Sequence, residues 1–200
     1  MSEQKANLLQ TLKAIDDLMD KYLSESSVEK AVSLCYIVEH GFDDARQRIV
    51  LKFGSLKPYI EVLEALQRAG ISSIPEDAKG LVSAKKIILR QLLIKDALSV
   101  IDKLDPLVKD VVAVILLVFE NVGELPSNTE DIFRLYQTLT GKTLPTAVKG
   151  ELYRYLHQLH ILDLRYGSYY FSSDAPYILR ALKDRVPKII IEFKSEQEKK

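Results

Sequence analysis

Two histidines and an aspartate are spaced so that one metal ion is within their reach. His157, His160 and Asp163 follow one another at intervals of three residues, a spacing that places side chains on one face of a helix. Imidazole and carboxylate are zinc ligands, but three ligands without a second histidine pair or a cysteine make a weak metal set. We therefore predict no metal site. We expect His157 to face outward, and His160 to lie at a helix end, where positive charge is favoured.

The other candidates for catalysis lack the partners that their chemistry requires. Cys35 lies in an apolar helical stretch, and His40 falls off the face that carries it, so no nucleophile and base are paired. Residues 141–143, Gly-Lys-Thr, match only the end of the phosphate-binding loop G-x-x-x-x-G-K-[ST], because Tyr136 occupies the position of its first glycine. We predict a protein without enzymatic activity and without a cofactor.

Residues suited to DNA contacts recur along a predicted helix at about 145–160. Its apolar positions are expected to point inward: Val148, Leu152, Tyr155, Leu156 and Leu159. The residues expected to face outward, with Thr143 of the preceding turn, offer groups that bind phosphate oxygens or base edges: Thr143, Thr146, Lys149, Gly150, Tyr153, Arg154 and His157. The sequence thus predicts a DNA-binding face on this helix.

A predicted β-hairpin follows that helix. Residues 161–166 alternate apolar and polar types, Gly167-Ser168 suits a two-residue turn, and residues 169–171 return as a second strand. Its exposed candidates for DNA contact are Arg165, Tyr166, Ser168 and Tyr169. Over 142–169 four basic residues face two acidic ones, whereas 107–187 carries nine of each, so any positive field is local.

The elements that hold these residues are predicted to be mainly helices. Apolar spacing and capping residues predict helices at about 7–22, 28–40, 43–54, 55–69, 81–104, 106–119, 128–140, 145–160 and 174–185. A connector at 71–80, a short strand at Lys188–Phe193 and a disordered tail at 194–200 complete the prediction. We expect a mainly α fold: a helical N-terminal bundle at 1–104, followed at 105–193 by a winged helix-turn-helix domain with a small hairpin.

The first helix has two interpretations. Its apolar stripe runs from Leu8 through Leu12, Ile15 and Met19 to Tyr22 in steps of four and three. Packing into the core of its own domain is favoured, because a dimer seam should persist for more heptads. A homodimer through this stripe is the alternative.

Composition excludes several classes of protein. The apolar share of 47% is typical of a folded globular chain, and 28 basic residues balance 28 acidic ones, so a strongly basic arm is excluded. The longest apolar run, 111–119, is shorter than the ~20 residues that span a membrane. The first residues lack the apolar core of a signal peptide. We expect a cytoplasmic protein, associated with the nucleoid if it binds DNA.

The order helix, helix, glycine turn, helix and hairpin over 106–173 resembles a winged helix-turn-helix. Residues 81–187 further resemble the C-terminal part of archaeal origin-recognition initiator proteins, in which the last lid helix of an ATPase domain leads into a winged helix. The matching segments are 82–86, 98–104, 111–119, 131–136 and 156–164, within about half of the chain. The resemblance implies DNA contact through Lys149, Arg154 and the hairpin. The missing phosphate loop implies that this contact occurs without an ATPase.

Two functional hypotheses follow. The first is a non-enzymatic protein that binds double-stranded DNA as a transcriptional regulator, an initiator-like protein or an architectural protein. The second is a module in which the helical stack and the winged helix dock a protein partner. Zero net charge, the stripe Leu8–Tyr22 and the exposed edge expected for the strand Lys188–Phe193 favour the second.

Overall fold

The computed structural model describes residues 2–189, which are mainly helical. The helices are α1 (Glu3–Ser24), α2 (Val28–His40), α3 (Phe42–Phe53), α4 (Lys57–Arg68), α5 (Ala78–Ala84), α6 (Lys86–Ile101), α7 (Pro106–Val122), α8 (Asp131–Thr140), α9 (Thr146–Gln158) and α10 (Ala175–Ala181). Strands β1 (Leu162–Arg165) and β2 (Ser168–Phe171) form a two-stranded hairpin, and a 3-10 turn covers Lys183–Arg185. The prediction of a mainly α chain with a small hairpin is confirmed.

The chain divides into two compact units. The N-terminal unit contains residues 2–97 together with the hairpin tip Asp163–Ser168. The C-terminal unit contains Leu98–Leu162 and residues 169–189. The tip of the hairpin therefore groups with the N-terminal helices, which the sequence analysis did not predict.

Helix α2 lies at the centre of the N-terminal unit. Residues 31–38, which form the middle of α2, are all buried, and α1, α3, α4 and α5 all contact this helix. The apolar stripe of α1 is more buried in the second half of the helix than in the first. Ile15, Met19 and Tyr22 are buried, whereas Leu8 and Leu12 are only half-buried. Packing into its own unit is thus confirmed for the second half of α1.

Helix α7 supplies the core of the C-terminal unit. Its residues 111–116 and Phe119 are buried, as expected of a helix that is apolar on all sides. Asp105 caps its start, where the carboxylate accepts a hydrogen bond from the backbone N–H of Leu107 at 2.8 Å. Gly123, at φ +82°, ends it in a left-handed conformation that glycine adopts without strain.

Several predicted boundaries are wrong in detail. The helix predicted at 81–104 is two helices, α5 and α6, because the backbone leaves helical geometry at Lys85, whose ammonium group bridges Asp16 and Asp20 of α1. The last predicted helix is divided into α10 and the 3-10 turn. The hairpin turn is Tyr166-Gly167 rather than Gly167-Ser168. Most of the strand predicted at Lys188–Phe193, and all of the tail at 194–200, lie outside the described residues.

The apolar run of α7 does not make that helix a membrane span. Within residues 2–189, every helix is too short or too polar to cross a lipid bilayer.

Candidate nucleic-acid interface

Helices α8 and α9 are joined by a tight turn that sets the position of the predicted DNA-binding face. Gly141 ends α8 at φ +71°, a left-handed conformation, and its N–H donates to the carbonyl of Gln137 at 2.9 Å. Leu144 is buried, which anchors the turn, and Pro145 directly precedes the first residue of α9. Lys142 and Thr143, which follow Gly141 in the turn, are exposed.

An aromatic cluster fixes the rotation of α9 about its axis. The ring of Tyr153 packs edge-on against Phe133 of α8, with centroids 5.1 Å apart. Its other side stacks on Tyr169 of β2, with centroids 5.1 Å apart and planes at 14°. The imidazole of His157 meets Tyr169 edge-on at 5.8 Å. These contacts turn Tyr153 and His157 inward.

The sequence prediction that Tyr153 and His157 face outward is therefore wrong. Tyr153 is 9% exposed and His157 is 2% exposed. The Tyr153 hydroxyl donates to the Glu130 carboxylate at 3.2 Å, and burial raises the pKa of Tyr153 to about 12. Conversely Tyr155, predicted to point inward, is partly exposed, and its hydroxyl lies 3.4 Å from Glu151. The choice of Tyr155 as an inward residue placed Tyr153 and His157 on the outer side of the helix, although an aromatic ring favours burial at any of these positions.

The remaining predicted residues of α9 form a smaller outer face. Thr146, Gly150 and Arg154 are exposed, whereas Lys149 is half-buried, with its ammonium nitrogen 5.0 Å from the centroid of the Phe133 ring. Gly150 has no atom within 4 Å of the position that a Cβ would occupy, so a ligand can approach its backbone closely. We call Lys142, Thr143, Thr146, Lys149, Gly150 and Arg154 the α9 face.

One acidic residue weakens the charge of the α9 face. Arg154 donates to the Glu151 carboxylate at 3.1 Å, and both side chains are more than half exposed. An exposed ion pair of this kind contributes about 0–1 kcal/mol, so a phosphate group can compete for the guanidinium. The segment 142–158 contains three basic residues and one acidic residue, Glu151. A small positive excess therefore remains on this segment.

The hairpin residues lie in two places. Arg165, Tyr166 and Ser168 are exposed on the tip that belongs to the N-terminal unit. Tyr169 is half-buried in the C-terminal unit, where Tyr153 covers it and where its backbone carbonyl accepts a hydrogen bond from Thr129 at 3.2 Å. Tyr169 thus packs against α9, although the sequence analysis placed it among the exposed residues of the hairpin.

The histidine and aspartate triplet does not form a metal site. His160 lies just beyond the end of α9, as predicted, at φ +61° and 3% exposed. Asp163 instead accepts a hydrogen bond from the Tyr36 hydroxyl at 2.9 Å. Among residues 2–189 no group of histidine, cysteine and acidic residues is arranged to hold a metal ion. Cys35 is buried in α2.

Sequence analysis missed a buried polar cluster in the N-terminal unit. Arg48 and Lys52 of α3 are 5% and 7% exposed. Arg48 donates to Asp44 at 3.0 Å and lies over the Tyr36 ring, while burial lowers the pKa of Lys52 to about 8 against the opposing charges of Asp163 and Asp96. The one signal in the sequence was the four-residue spacing of 44, 48 and 52, which places the three charges on one side of α3.

Comparison with protein-family models, with curated proteins and with solved structures finds no match. The resemblance to archaeal initiator proteins therefore stays a prediction from the sequence.

Proposed function

We propose that residues 106–171, from α7 to the end of the hairpin, form a winged helix that binds double-stranded DNA through the α9 face without catalysing a reaction. The observation that carries the proposal is the order α7, α8, tight turn, α9 and hairpin, with the cations of 142–158 on the turn and on α9. A helix presented in this way fits the major groove of DNA, which is about 12 Å wide, and the helix before it crosses the phosphate backbone.

The chemistry of the α9 face agrees with phosphate contact more than with base recognition. Lys142 and Arg154 are exposed cations, and the hydroxyls of Thr143 and Thr146 are exposed donors at the start of the helix. Such groups bind phosphate oxygens and position a protein on the duplex, without selecting a sequence. We therefore infer binding that depends strongly on salt and weakly on sequence.

The variant Arg154→Ala tests the proposed contact. If Arg154 binds a phosphate, its removal lowers the steepness of the plot of log affinity against log salt concentration by about one. Fluorescence anisotropy with a labelled random duplex measures this slope. Lys103→Ala is the matched control, because Lys103 is an exposed cation of the same unit on the loop before α7.

The control and two further variants, Arg154→Lys and Lys149→Ala, complete this test. We expect Lys103→Ala to keep the wild-type slope. Arg154→Lys should also keep it, because a charge remains at position 154. Equal slopes for wild type and Arg154→Ala would remove Arg154 from the interface. If Lys149→Ala also left the slope unchanged, α9 would not be the recognition helix.

Docking of a protein partner is a second candidate function, and apolar side chains exposed on the N-terminal unit favour it. Leu51 and Ile60 are 46% and 45% exposed, and Ile87 and Ile88, which are consecutive residues of α6, are 68% and 55% exposed. Exposed apolar patches often mark interaction sites. The DNA titration distinguishes the two functions, because a module that only docks protein is not expected to bind a random duplex at low salt.

A further inference from the structure

The tip of the hairpin holds an aromatic side chain in a position that folding does not require. Tyr166 is 90% exposed, and its side chain makes no hydrogen bond or ring contact with any residue in 2–189. A buried aromatic ring contributes strongly to a core, but a ring in water contributes almost nothing. The ring of Tyr166 therefore does not stabilise the unit to which it belongs.

The backbone at this position is also unfavourable for tyrosine. Tyr166 and Gly167 have φ +50° and +77°, the pair of left-handed conformations that a two-residue hairpin turn requires. Glycine and asparagine adopt this conformation readily, whereas a bulky residue there is strained. An asparagine would suit the turn better, so the phenol ring is present at a cost to stability. Backbone strain of this kind is concentrated at active sites and ligand-binding sites.

The surroundings of Tyr166 indicate the chemistry of that ligand. Arg165 and Ser168 are exposed beside it, Leu164 is buried, and the one acidic side chain of the tip, Asp163, accepts a hydrogen bond from the Tyr36 hydroxyl. An aromatic anchor for a protein usually lies within a patch of apolar contacts that exclude water, whereas the residues on either side of Tyr166 in the chain are Arg165 and Gly167. An aromatic plane next to a cation suits a nucleotide, because the ring stacks on the base and the cation contacts the phosphate.

A base can accept such a ring only where its face is free. Inside a duplex each base is covered on both sides by its neighbours, so a stacking side chain finds an open face at an unpaired base. We propose that Tyr166 is a stacking platform for an unpaired base, so that the hairpin tip recognises DNA where a duplex meets a single strand. This inference rests on the proposed function, since it assumes that the chain binds DNA.

The test compares two DNA ligands. One is a blunt duplex, and the other is the same duplex extended by a short single strand that carries the fluorescent base 2-aminopurine at its first unpaired position. We expect wild type to bind the extended duplex about tenfold more tightly than the blunt one, and to quench the fluorescent base by stacking. Anisotropy gives the affinities, and the emission of 2-aminopurine reports the stacking.

Three variants separate stacking from folding. Tyr166→Asn removes the ring, so it should lose the preference for the extended duplex and the quenching of 2-aminopurine. Because asparagine suits the turn, the urea midpoint of this variant should equal or exceed that of wild type. Tyr166→Phe keeps the ring and should keep both. Tyr177→Ala removes a tyrosine that is 45% exposed on α10, and should also keep both.

The outcomes distinguish this inference from the proposed function. Equal wild-type affinity for the two ligands, or a preference that survives Tyr166→Asn, overturns the stacking role and leaves duplex binding by α9 intact. Quenching that requires Tyr166, with no effect of Arg154→Ala on either ligand, supports the stacking role and contradicts the α9 interface. A wild type that binds neither ligand at low salt overturns both, and a protein partner then becomes the expected occupant of the tip.

Discussion

Lys52 is the residue whose burial has the clearest measurable consequence. Its ammonium group is almost fully buried beside Asp163 and Asp96, and burial lowers its pKa to about 8. In the unfolded chain the same group titrates near its ordinary value of about 10.4. Between these two values the unfolded state binds more protons than the folded state, so the free energy of unfolding rises with pH. Below pH 8 the ammonium group is charged in both states, so the free-energy cost of burying that charge lowers the free energy of unfolding by its full amount.

The variant Lys52→Met tests this effect. From about pH 7.5 to pH 9.5 the free energy of unfolding of wild type should rise relative to that of the variant by up to about 2 kcal/mol. Urea denaturation at a series of pH values measures this difference, and the comparison removes the contribution of other titrating groups. A difference that stays constant over this range would mean that Lys52 is solvated in the folded protein.

At the scale of elements, the cap of α7 should determine how firmly this central helix begins. The Asp105 carboxylate accepts a hydrogen bond from the N–H of Leu107, which has no other partner within the first helical turn. Asp105→Ala should lower the free energy of unfolding by about 1 kcal/mol, whereas Asp105→Asn keeps an acceptor and should cost only a fraction of that. Urea denaturation of the two variants gives both values. An equal loss for alanine and asparagine would show that charge, rather than capping, stabilises the helix start.

The sequence predicted the positions of the helices and strands more accurately than it predicted which of their sides are buried. Apolar spacing and local signals such as Asp105-Pro106 and Gly141 depend on neighbouring residues, so they located α7, the end of α8 and the hairpin. The rotation of α9 was missed because it depends on Phe133 and Tyr169, two rings brought to Tyr153 only by the fold. The burial of Lys52 was missed for the same reason, since Asp163 lies far away in the sequence.

At the scale of the whole molecule, charge is the property that the proposed function must accommodate. The chain has no net charge, and many of its cations are paired: Lys85 with Asp16, Lys183 with Glu120 and Arg154 with Glu151. Long-range attraction of DNA to the molecule is therefore weak. Binding must come from local contacts, of which the α9 face offers three cations, Lys142, Lys149 and Arg154.

Binding of the wild-type protein to a random duplex at two salt concentrations tests this central claim most directly. Three phosphate contacts predict a slope of log affinity on log salt of about −2.7, or a loss of roughly fortyfold between about 50 and 200 mM salt. Fluorescence anisotropy at the two concentrations measures the slope. Affinity that falls with this steepness is the expected result. An absence of binding at low salt would contradict the account, because a winged helix that contacts DNA should show at least weak non-specific affinity.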